Sequence, residues 1–412
     1  MVRFLHLSDL HLGVRFPQVK VNTSILTGGS YDLMWKFNLI TLRNLERAVE
    51  YAEEKGIKLL LIAGDIFDRV DNSLIFSEEL SVLLERIVKN DMYAVFIAGN
   101  HDADRKGEKA ASLSLFWRKV SKNIFYYNVL AEEDLLRDPI TLYIKELDVS
   151  IVPLPYILPM GDWRMYLNKY LFKAASQAEG RYKLMVGHLQ VIGASFSNMY
   201  KSSIPEEAVK IDGVYLSDIP YHEFDYVALG HIHLMQRVSS ENVYYSGSLN
   251  RIRFDEAWDK KYFLDVEVGG RLRVTPVEVE PVKMCYVKVD VDSGTSLDEV
   301  FEAVYGECSD VRESLVGIVI RVKEEMTSDR VRYITDKLER QLFEDGVWGV
   351  KIRVDRVYQR KMDRVHPRGP ETSIRELVSE YIGMRYRDLS KDERERLVQK
   401  VLEYMEVGMG EA

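Results

Sequence analysis

Residues 2–13, VRFLHLSDLHLG, decide the fold of this chain, together with 58–68, KLLLIAGDIFD, and 93–102, YAVFIAGNHD. Each stretch begins with a short apolar run, which predicts a buried strand, and ends in acidic, amide or histidine side chains. Further strands are predicted at 150–154, 182–186 and 224–229, and helices at 33–55, 73–89, 109–120 and 163–178. Strands that alternate with helices in this way indicate a layered α/β fold.

Five short motifs follow directly on predicted strands. They are Asp9-Leu10-His11, Gly64-Asp65, Gly99-Asn100-His101-Asp102, Gly187-His188 and Gly230-His231-Ile232-His233. Ligands of open α/β sheets bind outside the carboxyl ends of the strands, so one edge would collect these side chains. A single histidine after a glycine is more often structural than functional, and only the set as a whole predicts a site.

The motifs contain more metal ligands than one ion needs. The seven candidates are Asp9, His11, Asp65, Asn100, His188, His231 and His233. A four-coordinate zinc site with an open position takes three protein ligands, whereas two ions that share Asp65 would use all seven. Carboxylate, imidazole and amide ligands without thiolate suit Mn²⁺, Fe or Zn²⁺. Paired ions of this kind favour the hydrolysis of a phosphate ester.

The order and spacing of DLH, GDIFD, GNHD, GH and GHIH resemble the calcineurin-like metallophosphoesterase superfamily. Within it, HLSDLHLG, LLIAGDIFD, AGNHD, VGHLQV, FDYVALGHIH and YSGSLNR resemble the SbcD nuclease family, the Mre-eleven type. The resemblance implies a four-layer sandwich of two mixed sheets flanked by helices, with a small α+β cap domain and C-terminal helices.

The resemblance also implies a role for each site residue. Asp9, His11, Asp65 and His233 would hold one metal, and Asp65, Asn100, His188 and His231 the other. His101 would act on the scissile phosphate or protonate the leaving oxygen, and Asp102 would orient His101. Some relatives carry histidine where this chain has Asp68, so a proton-transfer role at that position is not carried over.

The activity implied by the resemblance is that of a two-metal DNA nuclease with Mn²⁺ as its metal. It would act as a 3′–5′ exonuclease on duplex ends and as a single-strand endonuclease in double-strand-break repair. The implied partners are a second copy of the chain and an SMC-like ATPase of the SbcC or Rad-fifty type. The alternatives are a metallophosphoesterase for a phosphoprotein or small phosphodiester, and a DNA-end scaffold with structural metals.

Four segments are predicted along the chain. Residues 1–280 form the phosphoesterase domain, 281–358 an α+β DNA-capping domain, 359–370 a basic linker, and 371–412 a helical tail that binds the partner ATPase. The tail contains two predicted capping boxes, Ser373 with Glu376 and Ser390 with Glu393. Each begins an apolar stripe. Such a stripe usually packs on the helix's own domain, and a partner protein is the competing interpretation because the two helices lie beyond the linker.

The net charge of −9 argues against a passive nucleic-acid coat, because non-specific DNA binding depends on excess lysine and arginine. Bound divalent cations would reverse this charge locally, so DNA would be held by a metal-centred and basic surface. The candidate DNA contacts are Arg15, Lys20, Arg69, Arg105, Lys201, Arg251 and Arg253. Scattered basic side chains are usually only solvated, which is the competing interpretation of each.

The remaining features predict a cytoplasmic, nucleoid-associated protein without a disulfide framework. Cys285 and Cys308 are the two cysteines of the chain, and both are expected to be free, small, buried apolar residues. No secretory signal and no apolar run of membrane-spanning length is recognisable.

Overall fold

Residues 1–70, 76–103, 121–158, 163–197, 213–323, 326–356, 375, 378–379, 382–383 and 390–409 are described by a computed structural model. The chain divides into two compact units, Met1–Val357 and Tyr358–Ala412. The predicted helix at 109–120, the linker at 359–370 and the capping box of Ser373 lie outside the described residues.

Strands and helices alternate over the first unit as predicted. In the described part of the chain the strands are β1 (Val2–Leu7), β2 (Lys20–Val21), β3 (Leu59–Ala63), β4 (Tyr93–Ile97), β5 (Ile124–Tyr127), β6 (Leu142–Ile144), β7 (Val149–Leu154), β8 (Tyr182–His188), β9 (Tyr226–Gly230), β10 (Gln236–Arg237), β11 (Val243–Tyr245), β12 (Lys261–Val268), β13 (Arg273–Val279), β14 (Met284–Val291), β15 (Leu315–Val322) and β16 (Gly349–Arg356). The helices longer than one or two turns are α1 (Ser30–Lys55), α2 (Ser77–Lys89), α3 (Arg164–Gln177), α4 (Leu297–Glu307), α5 (Ser328–Glu344) and α6 (Lys391–Met409).

Two mixed six-stranded sheets form the centre of the first unit. Their strand orders are β13-β12-β1-β3-β4-β5 and β10-β11-β9-β8-β7-β6. Strands β1, β3, β4 and β5 run parallel, as do β7, β8 and β9. Their carboxyl ends therefore lie at one edge of each sheet, which is where the motifs begin.

The alternation of side chains along β3 shows how the layers form. Leu60 and Ile62 pack with residues of α1 and α2. Leu59 and Leu61 point the opposite way, into a core shared with the second sheet. On the outer face of the second sheet α3 packs through residues such as Leu167. Each fully buried leucine contributes about 1.5–3 kcal/mol, and the resulting order of helix, sheet, sheet and helix is the predicted four-layer sandwich.

The strands between residues 243 and 279 differ in part from what their sequence predicts. The closely spaced runs VYYSG, KYFLDVEV and LRVTPVEVE, with Gly269-Gly270 as a turn, predict antiparallel neighbours. β12 and β13 do pair antiparallel, but β11 belongs to the other sheet and pairs parallel with β9. Sequence spacing does not reveal this, because the chain crosses from one sheet to the other between β11 and β12.

A third sheet follows, with the order β14-β15-β16-β2. Its α+β content matches the prediction for 281–358: parallel strands β14, β15 and β16 share an apolar core with α4 and α5. The short strand β2 comes from the loop after the first motif and pairs antiparallel with β16. The predicted boundary at residue 281 stays a prediction.

The cysteines correct the sequence-based expectation. Cys285 in β14 and Cys308 at the end of α4 are joined as a disulfide, with their Cα atoms 5.8 Å apart. Both are buried, as expected, but they are not free. The fold brings the strand and the helix end together across a separation of 23 residues, which no spacing rule indicates.

The second unit is described mainly by α6. Its predicted capping box is confirmed: the Ser390 backbone N–H donates to Glu393 Oε2 at 2.8 Å, and the Glu393 N–H donates to Ser390 Oγ at 3.3 Å. None of the helices in the described part of the chain combines the length and apolar character that crossing a bilayer requires.

Candidate metal centre

The five motifs meet between the carboxyl ends of the two central sheets. Asp9 and His11 follow β1, Asp65 follows β3, and Asn100 follows β4. From the second sheet, His188 ends β8, and His231 and His233 follow β9. The structure thus brings all seven predicted ligands to one place.

The local backbone explains why glycine precedes several of these residues. A Cβ atom on Gly99 would lie 2.1 Å from Asp65 Oδ1, and one on Gly64 would lie 2.2 Å from His188 Nδ1. Asp9, His11, Asp65 and His231 have positive φ values, from 45° to 98°, although none is glycine. Such conformations are costly for residues with side chains and cluster at functional sites.

Asp65 lies at the middle of the cluster. Its Oδ2 atom is 3.5 Å from His11 Nε2 and 3.4 Å from His188 Nε2. Its other oxygen, Oδ1, accepts a hydrogen bond from the His101 backbone N–H at 2.8 Å. One carboxylate oxygen therefore faces imidazoles from both sheets.

The remaining candidate ligands form two groups on either side of Asp65. On one side the Nε2 atoms of His11 and His233 lie 3.1 Å apart, and ligand atoms of Asp9, His11 and His233 all lie within 4.8 Å of one another. On the other side Asn100 Oδ1 lies 3.0 Å from both His188 Nε2 and His231 Nδ1.

Neighbouring groups fix the orientation of the candidate ligands. Ser8 Oγ donates to Asp9 Oδ2 at 2.6 Å, and the His231 backbone N–H donates to Asp9 Oδ1 at 3.0 Å. His188 Nδ1 lies 2.9 Å from the carbonyl oxygen of Ala63. Since a carbonyl only accepts, Nδ1 carries the proton and Nε2 of neutral His188 presents a lone pair to the site.

The electrostatics of the cluster favour a cation. Burial alone would raise the pKa of Asp65, but the charges of His188, His11 and His101 hold it well below its ordinary value. Burial opposes protonation of His188, yet Asp65 raises its pKa to about 9. Burial and the charge of His188 lower the pKa of His231 to about 3. Protons therefore sit on some of the ring nitrogens that would otherwise be free to bind a divalent ion.

His101 lies at the exposed side of the cluster. Its Nδ1 lies 2.8 Å from the carbonyl oxygen of Asp68, and its ring stands edge-on to that of His11, with centroids 4.7 Å apart. The ring lines a cleft of about 500 Å³ together with Asp65, Asn100 and Arg253. His101 therefore faces the same space as the ligand atoms.

The expected role of Asp102 is wrong. Its carboxylate accepts backbone N–H groups of Ile66, Phe67 and Gly99, at 3.1, 2.9 and 2.9 Å. His101 is oriented instead by the Asp68 carbonyl. Asp102 is fully buried, so it joins the loop after β3 to the loop after β4 and places Asp65 beside Asn100.

The predicted DNA contacts other than Arg251 fall into three groups. Arg15 and Arg253 line a second cleft of about 420 Å³, and Arg69 is exposed. Lys20 is exposed but paired with Glu339 at 2.6 Å. Arg105 and Lys201 lie outside the described residues.

Arg251 does not fit its predicted role. Its Nε and Nη1 atoms donate to the carbonyl oxygens of Asp259 and Val282, at 3.0 and 3.1 Å. Burial lowers the pKa of this partly buried guanidinium. Arg251 therefore holds two chain segments together and does not present a free cation at the surface.

Two residues of the site were missed from the sequence. Glu256 Oε1 lies 2.7 Å from His233 Nδ1, and Glu256 Oε2 lies 2.7 Å from Lys261 Nζ. They were missed because neither residue belongs to a strand-end motif, and because charged residues are usually exposed and not buried beside a site. The one signal in the sequence was their position shortly after YSGSLNR.

Several known proteins are similar in sequence to this chain. The sequence profile described as Calcineurin-like phosphoesterase matches residues 2–235, more than half of the chain. The SbcD component of the SbcCD nuclease of Staphylococcus epidermidis is 25% identical over 301 residues, which cover 68% of this chain and 71% of that protein. The DNA double-strand break repair protein Mre11 of Methanopyrus kandleri is 23% identical over 293 residues, covering 68% of this chain and 57% of that protein.

Two further similarities are more distant. The uncharacterized metallophosphoesterase YhaO of Bacillus subtilis is 22% identical over 321 residues, covering 77% of this chain and 70% of that protein. The crystal structure of a dimetal phosphatase from Danio rerio matches with a TM-score of 0.38 and 11% identity, over 68% of this chain and 96% of that one.

The profile match spans β1 to the end of the GHIH motif, and the residues that it includes form the cluster around Asp65. The family uses divalent metals, and the clustered carboxylates and imidazoles are chemically suited to hold them. The chain belongs to the calcineurin-like phosphoesterase family and is a metal-dependent phosphodiesterase.

Proposed function

We propose that this chain is a two-metal DNA nuclease that acts in double-strand-break repair. The observation that carries the proposal is the convergence of six other candidate ligands, from two sheets, around Asp65 in a cleft that His101 also lines. The names of two relatives, a nuclease component and a break-repair protein, support DNA as the substrate.

The donor atoms fit two ions, for which Mn²⁺ is the proposed metal. Asp9, His11, Asp65 and His233 would hold one ion, and Asp65, Asn100, His188 and His231 the other. Imidazole, amide and carboxylate donors suit Mn²⁺. Because the Ala63 carbonyl accepts the Nδ1 proton of His188, the Nε2 lone pair of the neutral ring would be available to the ion. When bound, such ions supply a hydroxide nucleophile and stabilise charge on the phosphate oxygens.

The side chains of the chain itself would position the substrate and move the proton. His101 is held through its Nδ1–H by the Asp68 carbonyl. In its imidazolium form the ring would donate its second proton, on Nε2, to the leaving oxygen and become a neutral imidazole that keeps the proton on Nδ1. Arg253 lines the same cleft, is 53% exposed and donates from Nε to Asp255 Oδ1 at 3.1 Å, so a phosphate group would compete with that carboxylate for its charge. Phosphate contacts carry no base information, so cleavage would depend little on sequence.

We propose 3′–5′ exonuclease action on duplex ends and endonuclease action on single strands, by a cytoplasmic homodimer bound to an SMC-like ATPase. The segment 281–358 would cap the DNA, and the helices of 371–412 would bind the ATPase. Val401 of α6 is partly exposed and apolar. Val401→Asp should therefore prevent copurification with such an ATPase.

The test is Mn²⁺-dependent digestion of labelled duplexes whose 5′ or 3′ ends are blocked. A 3′–5′ exonuclease degrades the duplex with a blocked 5′ end and spares the one with a blocked 3′ end. Asp65→Ala should abolish digestion, while Asp298→Ala, which removes an exposed carboxylate at the start of α4, should retain it. Normal digestion by Asp65→Ala would contradict the proposed site.

The same assay separates the alternatives. Bis-nitrophenyl phosphate and a phosphopeptide are offered beside DNA under identical conditions. Hydrolysis of either one without DNA cleavage would replace the nuclease proposal by a phosphatase or small-molecule phosphodiesterase. Binding of DNA ends without hydrolysis of any substrate would favour a scaffold with structural metals.

A further inference from the structure

A buried ion pair lies behind His233. Glu256 and Lys261 are 3% and 1% exposed. Glu256 Oε1 lies 2.7 Å from His233 Nδ1, and Glu256 Oε2 lies 2.7 Å from Lys261 Nζ. Burying two charges is expensive, and replacing such a pair with apolar residues often costs a protein nothing in stability. Stability alone therefore gives no reason for a charged pair at this place.

The hydrogen bonds of the pair are complete and converge on His233. The Lys261 ammonium group donates to Glu256 Oε2, to Ser248 Oγ at 2.9 Å and to the His233 carbonyl oxygen at 3.0 Å. Glu256 Oε2 also accepts the Ile252 backbone N–H at 3.2 Å. The pair thus holds both the ring and the backbone of His233.

The contact fixes which nitrogen of His233 faces the cluster. A carboxylate at 2.7 Å accepts a hydrogen bond, so Nδ1 carries a proton. Nε2 of the neutral ring then keeps its lone pair, 3.1 Å from His11 Nε2. His188 differs, because a neutral carbonyl accepts its Nδ1 proton. A carboxylate behind a ligating imidazole orients the ring and increases its basicity.

We infer that Glu256, held by Lys261, is a positioning residue that fixes the tautomer and the ring of His233 for one of the two metals. This inference rests on the proposed function, since it presupposes that His233 binds a metal. It assigns a purpose to the segment after YSGSLNR, where the short helical turn Phe254–Glu256 and the first residue of β12 meet behind the site.

The first test compares two double variants of the full chain by calorimetric titration with Mn²⁺. Glu256→Leu with Lys261→Met removes both charges and the acceptor for His233. Glu256→Gln with Lys261→Met removes both charges but keeps an amide oxygen in place of the carboxylate. We expect the wild type to bind two ions, and the leucine variant to bind one of them 10–100-fold more weakly.

The glutamine variant tests whether an uncharged acceptor at position 256 is enough to restore metal binding. We expect the glutamine variant to bind the affected ion at least tenfold more tightly than the leucine variant, because Nδ1 again has an acceptor. Thermal melting of both variants shows whether they are folded. Wild-type affinity for both ions in the leucine variant, or no difference between the two variants, would overturn the inference.

A second measurement does not depend on the folding of any Glu256 variant. The nitrogen-15 histidine spectrum of the wild-type chain loaded with Zn²⁺, a diamagnetic probe, should contain an exchange-protected Nδ1–H resonance from His233. Its loss in His233→Gln assigns it. A His233 ring without a proton on Nδ1 would overturn the inference.

Metal titration of the wild type and of the leucine variant tests the proposed metal sites separately from the role of Glu256. A wild-type chain that binds neither Mn²⁺ nor Zn²⁺ contradicts the proposed metal sites. A wild-type chain that binds two ions, beside a leucine variant that binds them equally well, contradicts only the role of Glu256.

Discussion

The Nε2 atoms of His11 and His233 lie 3.1 Å apart, although 222 positions separate the two residues in the chain. In the absence of metal this distance fits a hydrogen bond in which one nitrogen carries a proton and the other accepts it. A divalent cation would replace that proton and bind both lone pairs, and only the folded chain brings the two nitrogens together. Divalent metal should therefore stabilise the folded chain. At a hundredfold excess over Kd, each ion adds about 2.7 kcal/mol, which thermal melting against Mn²⁺ concentration measures.

The control for this stabilisation is a histidine away from the cluster. His222 is 69% exposed, so His222→Gln should show the same rise in Tm with Mn²⁺ as the wild type. Asp65→Ala should lose most of the rise. A Tm of the wild type that is independent of Mn²⁺ would argue against a metal site at this cluster.

Metal binding should weaken as the pH falls. Burial opposes protonation of His188, but Asp65 raises its pKa to about 9, so the metal-free ring carries a proton at neutral pH. The metal binds the neutral ring and releases that proton. Lowering the pH from 8 to 7 should therefore raise the Kd for Mn²⁺ about tenfold per proton released. Calorimetry in buffers of different ionisation enthalpy measures the released protons; a Kd that is constant over this range contradicts the prediction.

His101→Ala should reduce cleavage without loss of metal. The His101 ring faces the cleft, whereas its backbone N–H, which the variant keeps, is the group that binds Asp65. Loss of a general acid lowers the rate by about 10²–10⁴-fold. The expected result is two bound Mn²⁺ ions by calorimetry and a reduced rate on a labelled duplex. An unchanged rate would remove His101 from the mechanism.

Much of the fold and the cluster follows from local sequence. Apolar runs that end in polar motifs locate β1, β3, β4, β8 and β9, and parallel pairing brings their ends together. All seven proposed ligands can therefore be named as candidates from the sequence. The capping box of Ser390 is equally local, because its partner lies three residues away.

The missed features all depend on distant pairing. β2 joins the third sheet across more than 300 residues, Arg251 reaches the Val282 carbonyl, and Cys285 meets Cys308. Asp102 was assigned to its sequence neighbour His101, but its bonds go mainly to the loop after β3. A motif reveals which residue types are present, and only the fold reveals which of them touch.

Reduction of the disulfide should destabilise the sheet formed by β14, β15 and β16. The bond joins Cys285 in β14 to Cys308 at the end of α4 and closes a loop of 23 residues. Closure of a loop of this size stabilises a fold by about 3 kcal/mol, through the unfolded state. Denaturant unfolding with and without reductant measures the difference. Cys308→Ser should match the reduced wild type and should not respond to reductant; equal stability of the oxidised and reduced wild type would contradict the prediction.

His6 should make stability fall in acid. It is fully buried in β1; its Nε2 lies 3.2 Å from the Leu229 carbonyl oxygen, and its Nδ1 lies 3.0 Å from Tyr226 Oη. A carbonyl only accepts, so Nε2 donates to Leu229, and Nδ1 accepts the Tyr226 hydroxyl proton. Burial lowers the pKa of His6 to about 3 from the ordinary 6.5.

The sign of the effect follows from which state binds the proton. Below pH 6.5 the unfolded chain protonates His6 while the folded chain does not. The free energy of unfolding therefore falls by about 1.4 kcal/mol per pH unit between pH 6.5 and 3, and this contribution is fully present only above pH 6.5. His6→Leu should be less stable at pH 7, because it leaves the Tyr226 hydroxyl and the Leu229 carbonyl without their partner. It should also have a shallower slope from pH 6 to 4 in urea unfolding. Parallel slopes for the variant and the wild type would show that other groups cause the acid sensitivity, whereas a reduced slope assigns it to the histidine that links the two sheets beneath the metal centre.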